Sequence, residues 1–333
     1  MKKVLVLGST GAMGRYLVPE LLSLGYSVTG VSLDDAAVFP KEVRQIKGDA
    51  FDKDLLGKLL SEGYDGVVNF MNYYGPHFDE YYELFLNNTS HYIFLSTGRV
   101  YADEEIPVRE TSPRLWDVSK DEKLLASNDY CIHKAKAENL LRSSEYKNWS
   151  IVRPATTFST MRLQLVTLEM PNFIPRAMMG KKVILPIEAK DKPATLSWGG
   201  DVAKMIARIL FKEEALCETY NVCSAENRTW EEIAEYYHEL IGLEVIWVDK
   251  EDYLKIINPD VPDGVRWQLE YARLFHRITD NSKVLALTGL KQEELISMYD
   301  GLKKEIGNIP KDYVPFDTDI GLRMDEYIKQ KGL

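Results

Sequence analysis

The sequence lacks most of what would mark a secreted, membrane-bound or metal-built protein. Its three cysteines, Cys131, Cys217 and Cys223, include no CxxC pair and cannot all pair with one another, which reads as reduced thiols of the cytoplasm. Five histidines, His77, His91, His133, His238 and His276, are scattered without metal-ligand spacing, so no metal centre is expected. No apolar run approaches the roughly 18 residues of a membrane helix. Positive charge is in deficit, with 41 Lys and Arg against 51 Asp and Glu and a net charge of −10. That balance, with a pI near 5.2, argues against nucleic acid as the main partner. Met1-Lys2-Lys3 leads directly into an apolar strand, so no signal peptide is read. A cytoplasmic location is expected, and the sequons at Asn87 and Asn88 should stay unglycosylated. Repeats and low-complexity segments are absent too.

What remains is an ordinary globular composition, 45% hydrophobic and 28% charged over 333 residues, enough to bury a large core in two domains. The organising stretch is the first. Val4-Leu5-Val6-Leu7 reads as a strand buried on both faces. It runs into Gly8, Gly11 and Gly14 and then into a helical pattern (Tyr16, Leu17, Leu21, Leu22) that ends near Gly25. Strand, glycine loop and helix form a phosphate cradle. Glycines allow a tight turn and let a pyrophosphate approach the helix N-terminus, whose dipole favours negative charge. Dinucleotide contacts are therefore expected at Gly8, Thr10, Gly11, Ala12, Met13 and Gly14.

A second strand, Tyr26 to Ser32, follows. Asp34, just beyond Ser32, falls about twenty residues past the glycines, where a carboxylate accepts from the adenosine ribose and repels a 2′-phosphate. It serves equally as a turn cap with Asp35. No Arg or Lys lies between Ser32 and Pro40, which favours NAD over NADP. Val43 to Lys47 reads as a third strand, and Asp49-Ala50 after it suits the adenine amino group, while Asp52 caps the helix from Lys53 to Leu60. Gly66 to Phe70 is the fourth strand, and Phe70, Met71, Asn72 and Tyr73 are expected on the nicotinamide side. His77 to Leu86 reads as an aromatic-rich helix of the core, and His91 to Leu95 as a fifth strand ending in Ser96-Thr97-Gly98-Arg99-Val100-Tyr101. Strand-helix alternation at this spacing predicts a doubly wound parallel sheet with ligands beyond the carboxyl ends of its strands. Ala102 to Ser119, with Pro107 and Pro113, reads as a rim or lid.

Within Asp129-Tyr130-Cys131-Ile132-His133-Lys134, Tyr130 and Lys134 stand one helical turn apart on one face. A nearby ammonium favours the phenolate and lowers the tyrosine pKa from about 10 toward the range of a working acid or base. After a strand ending in Ser-Thr, inside a dinucleotide fold, this pair is a strong sign of catalysis.

Taken together, Gly8/Gly11/Gly14, Asp49, Ser96-Thr97 before Val100-Tyr101, Tyr130/Lys134 and Val152-Arg153-Pro154 resemble the extended short-chain dehydrogenase/reductase family, in its NAD-dependent epimerase/dehydratase branch. The likeness extends through Leu196 to Ala203, Thr219 to Val222 and Asp280 to Lys283. It implies a Rossmann domain holding NAD, with Tyr130 as acid/base, Lys134 on the nicotinamide ribose, Thr97 on the reacting oxygen and Pro154 beside the cofactor. It also implies a homodimer joined through helices such as Tyr130 to Arg142, with Leu140 and Leu141 at the contact. The chain departs from the family pattern in two places. Sugar dehydratases carry Asp-Glu where Gly98-Arg99 stands, which sets dehydration aside. Many nucleotide-sugar enzymes carry an Asn shortly after the Arg-Pro, where this chain has Ala155-Thr156-Thr157-Phe158-Ser159. The glycine loop and Gly48-Asp49-x-x-Asp52 are also similar to plastid RNA-binding relatives, but the complete Tyr/Lys pair favours catalysis.

The expected organisation is a cofactor domain over 1–158, with 195–224 returning to it, and a smaller α/β substrate lobe over 159–194 and 225–333. Lys181 to Pro186 and Val245 to Val248 read as extended segments of the lobe, while Asp201 to Phe211 on the returning segment and Trp230 to Ile241 in the lobe read as amphipathic helices, the latter capped by Thr229. Arg266, Arg273 and Arg277 recur at helical spacing and would suit substrate phosphates or solvent. Arg99, Thr156 and Arg266 are the candidate substrate contacts. The function expected is NAD-linked oxidoreduction at a secondary alcohol or ketone of a sugar or nucleotide-sugar. The alternatives are an NADP-dependent reductase of a small carbonyl compound, or a catalytically idle NAD-sensing or RNA-binding member.

Overall fold

The computed structural model describes residues 1–34, 39–73 and 75–333; Asp35, weighed above as a turn cap, lies outside them. The chain divides into two compact units. The first comprises Met1–Thr157, Ser197–Ala225 and Thr279–Leu295, the second Phe158–Leu196, Glu226–Ile278 and Ile296–Leu333.

The first unit is built on a seven-stranded sheet. Its strands are β1 (Lys3–Leu7), β2 (Ser27–Ser32), β3 (Arg44–Lys47), β4 (Gly66–Asn69), β5 (His91–Leu95), β6 (Trp149–Arg153) and Glu218–Asn221, which is β8 below. The order is β8-β6-β5-β4-β1-β2-β3 and every pairing is parallel, with Val6 opposite Gly30 on one side and Val68 on the other. Alternate side chains serve opposite faces, as the two-residue period of a strand requires. Val4, Val6, Val28, Val68, Ile93 and Val152 join one buried cluster, and Leu5, Leu7, Val31, Val67, Tyr92, Phe94 and Ile151 join the other. Helices α1 (Gly14–Ser23) and α6 (Gly199–Ile209) pack together against the first face. Helices α2 (Lys53–Leu60), α3 (Tyr82–Leu86) and α5 (Tyr130–Ser143) cover the second. This is the doubly wound Rossmann arrangement, and its strand order reverses beside β1, where such sheets bind ligands.

Three expectations need correction. Thr279–Leu295, expected in the lobe, belongs to the first unit, where helix α9 (Ser282–Thr288) packs on α6 and β8 with Val284 fully buried. The Ala102–Ser119 stretch is no free lid. Tyr101 pairs with Arg114 and Val108 with Thr279, Ala102 N donates to Pro113 O, and Leu115–Val118 forms the short helix α4. His77–Leu86 is split: a 3-10 turn over Gly75–Glu80 precedes α3.

In the second unit, β7 (Val183–Pro186) pairs in parallel with β9 (Val245–Val248). Helix α7 (Trp230–Ile241) opens on a reciprocal capping box between Thr229 and Glu232 and closes at Gly242, whose φ of 71° suits glycine. Helix α8 (Lys250–Ile257) packs on β7 and on α10 (Asp319–Lys331). Arg176, 1% exposed, anchors this C-terminal helix by donating to Gly321 O, Asp317 and Asp325. No helix among the described residues is long and apolar enough to cross a membrane.

Candidate active site

The glycine loop is fixed by close backbone approach. Gly8 N and Ser9 N both donate to Val31 O, at 2.9 and 3.2 Å, which clamps the loop to β2. Gly8 has a φ of +77°, and a Cβ placed on Gly14 would lie 2.5 Å from Gly8 O and Ser9 O. Only glycine fits at Gly14. Helix α1 begins there with no side-chain cap, so its N-terminal dipole faces the loop uncompensated, as a phosphate site needs. The floor is made by Phe70 and Met71, 3.3 and 3.5 Å from where a Gly8 Cβ would sit.

At the carboxyl end of β2 Thr10 Oγ1 donates to Asp34 Oδ2 at 2.8 Å, tying the glycine loop to this strand. Ser32 is buried, and its hydroxyl donates to Asp34 O at 3.2 Å. Asp49 accepts from Phe51 N in a local turn, whereas Asp52 accepts from Asp54 N and Leu55 N as the cap of α2. The exposed Asp49 carboxylate and buried Ala50 border this end of the cleft. An open pocket of about 380 Å³ here is lined by Asp34, Phe39, Pro40, Lys41, Val43, Gln45 and Lys47. Two lysines thus stand beside Asp34, Lys47 on β3 and Lys41 in the turn before it, so neither belongs to the residues directly after β2.

Past β4, Asn69 accepts from Met71 N at 3.0 Å and donates to the hydroxyls of Tyr73 and Tyr92. Tyr73 is therefore no cleft residue. It is 3% exposed and packs against Phe78 and Tyr81, and burial drives its phenol well above the ordinary value. Asn72 does face α5: its Oδ1 accepts from His133 Nε2 at 2.9 Å. Burial, with the Lys134 charge beside it, pushes His133 down to about 4, so it stays neutral at physiological pH.

Thr97 caps the tight turn Gly98–Val100 by accepting from Arg99 N, and Gly98 N donates to Pro154 O at 2.8 Å. Asp129 caps α5 through Cys131 N and also accepts from Arg99 Nη2 at 3.2 Å. This places Tyr130 at the first position of α5, beside Arg99. Lys134 is 2% exposed; its Nζ donates to Leu95 O at 2.7 Å and lies 5.8 Å from the Tyr130 ring centroid. Burial lowers the Lys134 pKa to about 7, against a smaller opposing pull from Glu138.

One turn on, Glu138 is fully buried and accepts from Arg153 through both carboxylate oxygens, from Arg114 at 3.0 Å and from Ser96. Burial opposes its ionisation, but Arg153, Ser96 and Arg114 outweigh it and hold the carboxyl below its usual range. The helix that carries Tyr130 and Lys134 is thereby pinned to the end of β5, to β6 and to α4. Nothing in the local spacing around Glu138 announced this role, since its partners arrive from three separate strands and turns.

Two expected contacts are otherwise engaged. Arg266 forks onto Glu251 at 2.7 Å through each terminal nitrogen and also meets Glu270. Leu141 is 0% exposed within the second-face core, so it offers nothing to a second copy; Leu140 is only partly buried. Thr156 stands partly exposed two residues past Pro154.

Residues 4–89 match the sequence model of a family described as NAD dependent epimerase/dehydratase. No curated protein matches the chain. Similar solved structures include the epimerase Mth375 from Methanothermobacter thermautotrophicus, at 19% identity over 91% of this chain and 90% of that one, with a TM-score of 0.70. The Thermus thermophilus UDP-glucose 4-epimerase, solved with NAD, shares 19% identity over 92% of this chain and 100% of its own, with a TM-score of 0.66. The Thermotoga maritima UDP-glucose 4-epimerase, solved with UDP-glucose, shares 17% over 92% and 97%, with a TM-score of 0.65. At these identities the likeness establishes a common fold.

Proposed function

We propose that the chain, whose residues 4–89 match the model of the NAD dependent epimerase/dehydratase family, is an enzyme of the extended short-chain dehydrogenase/reductase type. It interconverts a secondary alcohol and a ketone on a sugar or nucleotide-sugar, using NAD(H) and Tyr130 as acid/base. The observation that carries this reading is the Tyr130–Lys134 pair on one face of α5, with Lys134 Nζ 5.8 Å from the phenol ring. It lies in the same unit as a glycine loop that a single Cβ would fill.

The residues suit a dinucleotide. Gly8, Gly11, Ala12, Met13 and the start of α1 would hold the pyrophosphate, Asp34 the ribose hydroxyls, and Phe70, Met71, Asn72 and Pro154 the nicotinamide end. When bound, the cofactor supplies hydride acceptance and return at the carbon of the alcohol. The chain's own part is proton management. Tyr130 takes the hydroxyl proton or gives it back, Lys134 stabilises the phenolate and binds the ribose, and Thr97 donates to the reacting oxygen. Arg99 and Thr156 are the substrate-side contacts within the first unit, and Arg266 joins them only if its Glu251 pair opens. The UDP-glucose bound by one similar structure supports a nucleotide-sugar substrate. A homodimer in the cytoplasm completes the proposal.

Tyr130→Phe tests it. Removing one hydroxyl should lower turnover by about 10² to 10⁴, the usual worth of general acid–base catalysis, while NAD(H) still binds; Thr97→Val should cost less. Full turnover in Tyr130→Phe refutes the assignment. Mass spectrometry of the nucleotide and sugar that copurify identifies the substrate.

A second reading, NADP as cofactor, is favoured by Lys41 and Lys47 on the wall of the pocket that Asp34 shares. A 2′-phosphate there would meet two ammonium groups as well as one carboxylate.

A further inference from the structure

Lys134 is not the only cation beside Tyr130. The guanidinium carbon of Arg99 lies 5.6 Å from the centroid of the Tyr130 ring, against 5.8 Å for Lys134 Nζ. Its position is fixed from three sides. Thr97 accepts from its backbone N–H, Gly98 N binds Pro154 O, and Asp129 accepts from Nη2. The side chain is 17% exposed and its Nε is buried with no hydrogen-bond partner. A guanidinium held with donors unspent next to a phenol is arranged for charge on that phenol.

We infer that Arg99 is a second, permanently charged partner of the Tyr130 phenolate, a positioning residue acting through Tyr130. The inference rests on the reading of Tyr130 as the proton-transfer group only for its functional meaning. It differs from Lys134 in kind. An arginine keeps its charge at every pH the protein meets, whereas Lys134 titrates at about 7. Above neutrality Lys134 loses its proton and Arg99 remains.

The other groups near the ring do not cancel this field. His133, whose ring centroid is 5.5 Å away, is neutral above pH 5, with its pKa at about 4. Glu138 lies beyond Lys134 and is held by Arg153, Arg114 and Ser96. Asp129 offsets part of the Arg99 charge, but it meets Arg99 by a single 3.2 Å contact and shares its carboxylate with the α5 N-terminus. A cation at this distance shifts a partner by about one to three units; with the Asp129 offset, the shift expected is about one unit.

The test is the titration of Tyr130 itself, read as phenolate ultraviolet absorbance in the NAD-free protein minus the same trace from its Tyr130→Phe counterpart. Arg99→Met should raise the Tyr130 pKa by about one unit, and Arg99→Lys should recover part of that shift. In a Lys134→Met background the Arg99→Met shift should persist. An unchanged or lowered Tyr130 pKa in Arg99→Met overturns the proposal. Should Arg99→Met fail to fold, Arg99→Gln, which keeps the amide donors and loses the charge, must show the same upward shift. The readout needs no substrate, so an enzyme with no alcohol activity would refute the proposed function and leave this measurement standing.

Discussion

Replacing Lys134 by Met should make the ligand-free protein more stable while removing its activity. Lys134 is 2% exposed, and burial lowers its pKa from 10.5 to about 7. At about 1.4 kcal/mol per unit, that depression corresponds to a cost of about 5 kcal/mol for holding the ammonium inside the fold. The cost is complete below pH 7, where both folded and unfolded chains carry the charge. Between pH 7 and 10.5 the unfolded chain binds the proton and the folded chain does not, so wild-type stability rises with pH. Methionine has similar length and no charge. It removes the penalty and forfeits the hydrogen bond to Leu95 O, a loss of about 1–3 kcal/mol. The net expectation at pH 6 is a gain of about 2–4 kcal/mol, comparable to the whole effect of a typical core mutation in the opposite direction. Urea unfolding of both proteins from pH 6 to 9.5 measures it, with the gap narrowing by about 1.4 kcal/mol per pH unit above 7. A variant less stable than wild type at pH 6, or a gap that ignores pH, refutes the burial argument. NAD(H) affinity should fall in the same variant, since the ribose loses its ammonium partner.

The two loop glycines should fail differently. A Cβ on Gly11 meets only Gly8 O, at 3.2 Å, so Gly11→Val should fold but lose NAD(H) binding by calorimetry, whereas Gly14→Ala drives a Cβ to 2.5 Å from two backbone oxygens and should lower the melting temperature first. Asp34→Ser should move the NAD/NADP affinity ratio toward NADP by about tenfold or more, one lost repulsion being worth about 1.4 kcal/mol; an unchanged ratio means that Asp34 does not reach the 2′ position. Light scattering at micromolar concentration should report a dimer, and Leu140→Asp should weaken it while Leu141→Asp unfolds the protein outright, because Leu141 belongs to the core.

The sheet and the glycine loop were legible because their signals are local. An apolar strand running into spaced glycines specifies a turn wherever it occurs, and β5 ends where its pattern says. Tyr130 and Lys134 were legible for the same reason, being one helical turn apart. Asp52 was legible too, because a carboxylate directly before an apolar helical pattern is a local capping signal, and it does cap α2. What stayed hidden depends on partners distant in the chain. Thr279–Leu295 reads as any helical stretch until α6 and β8 supply the surface it covers. Tyr73 follows a strand end, as a cleft residue would, but Asn69 and the aromatic cluster draw it inward. Arg99, Glu138 and the Lys41–Lys47 wall acquire their surroundings only from neighbouring elements.

The interleaving of the two units has a consequence for how the protein comes into being. The cradle, Tyr130 and Lys134 all lie within the first 157 residues, yet the sheet that supports them is closed by β8, complete only at Asn221, and covered by α9, complete only at Thr288. During translation at about 5–20 residues per second, the nascent chain therefore spends several seconds with β6 as an open edge and the first face covered by α1 alone. Cofactor capture cannot complete the first unit early, and a chaperone that shields β6 has a defined interval in which to act.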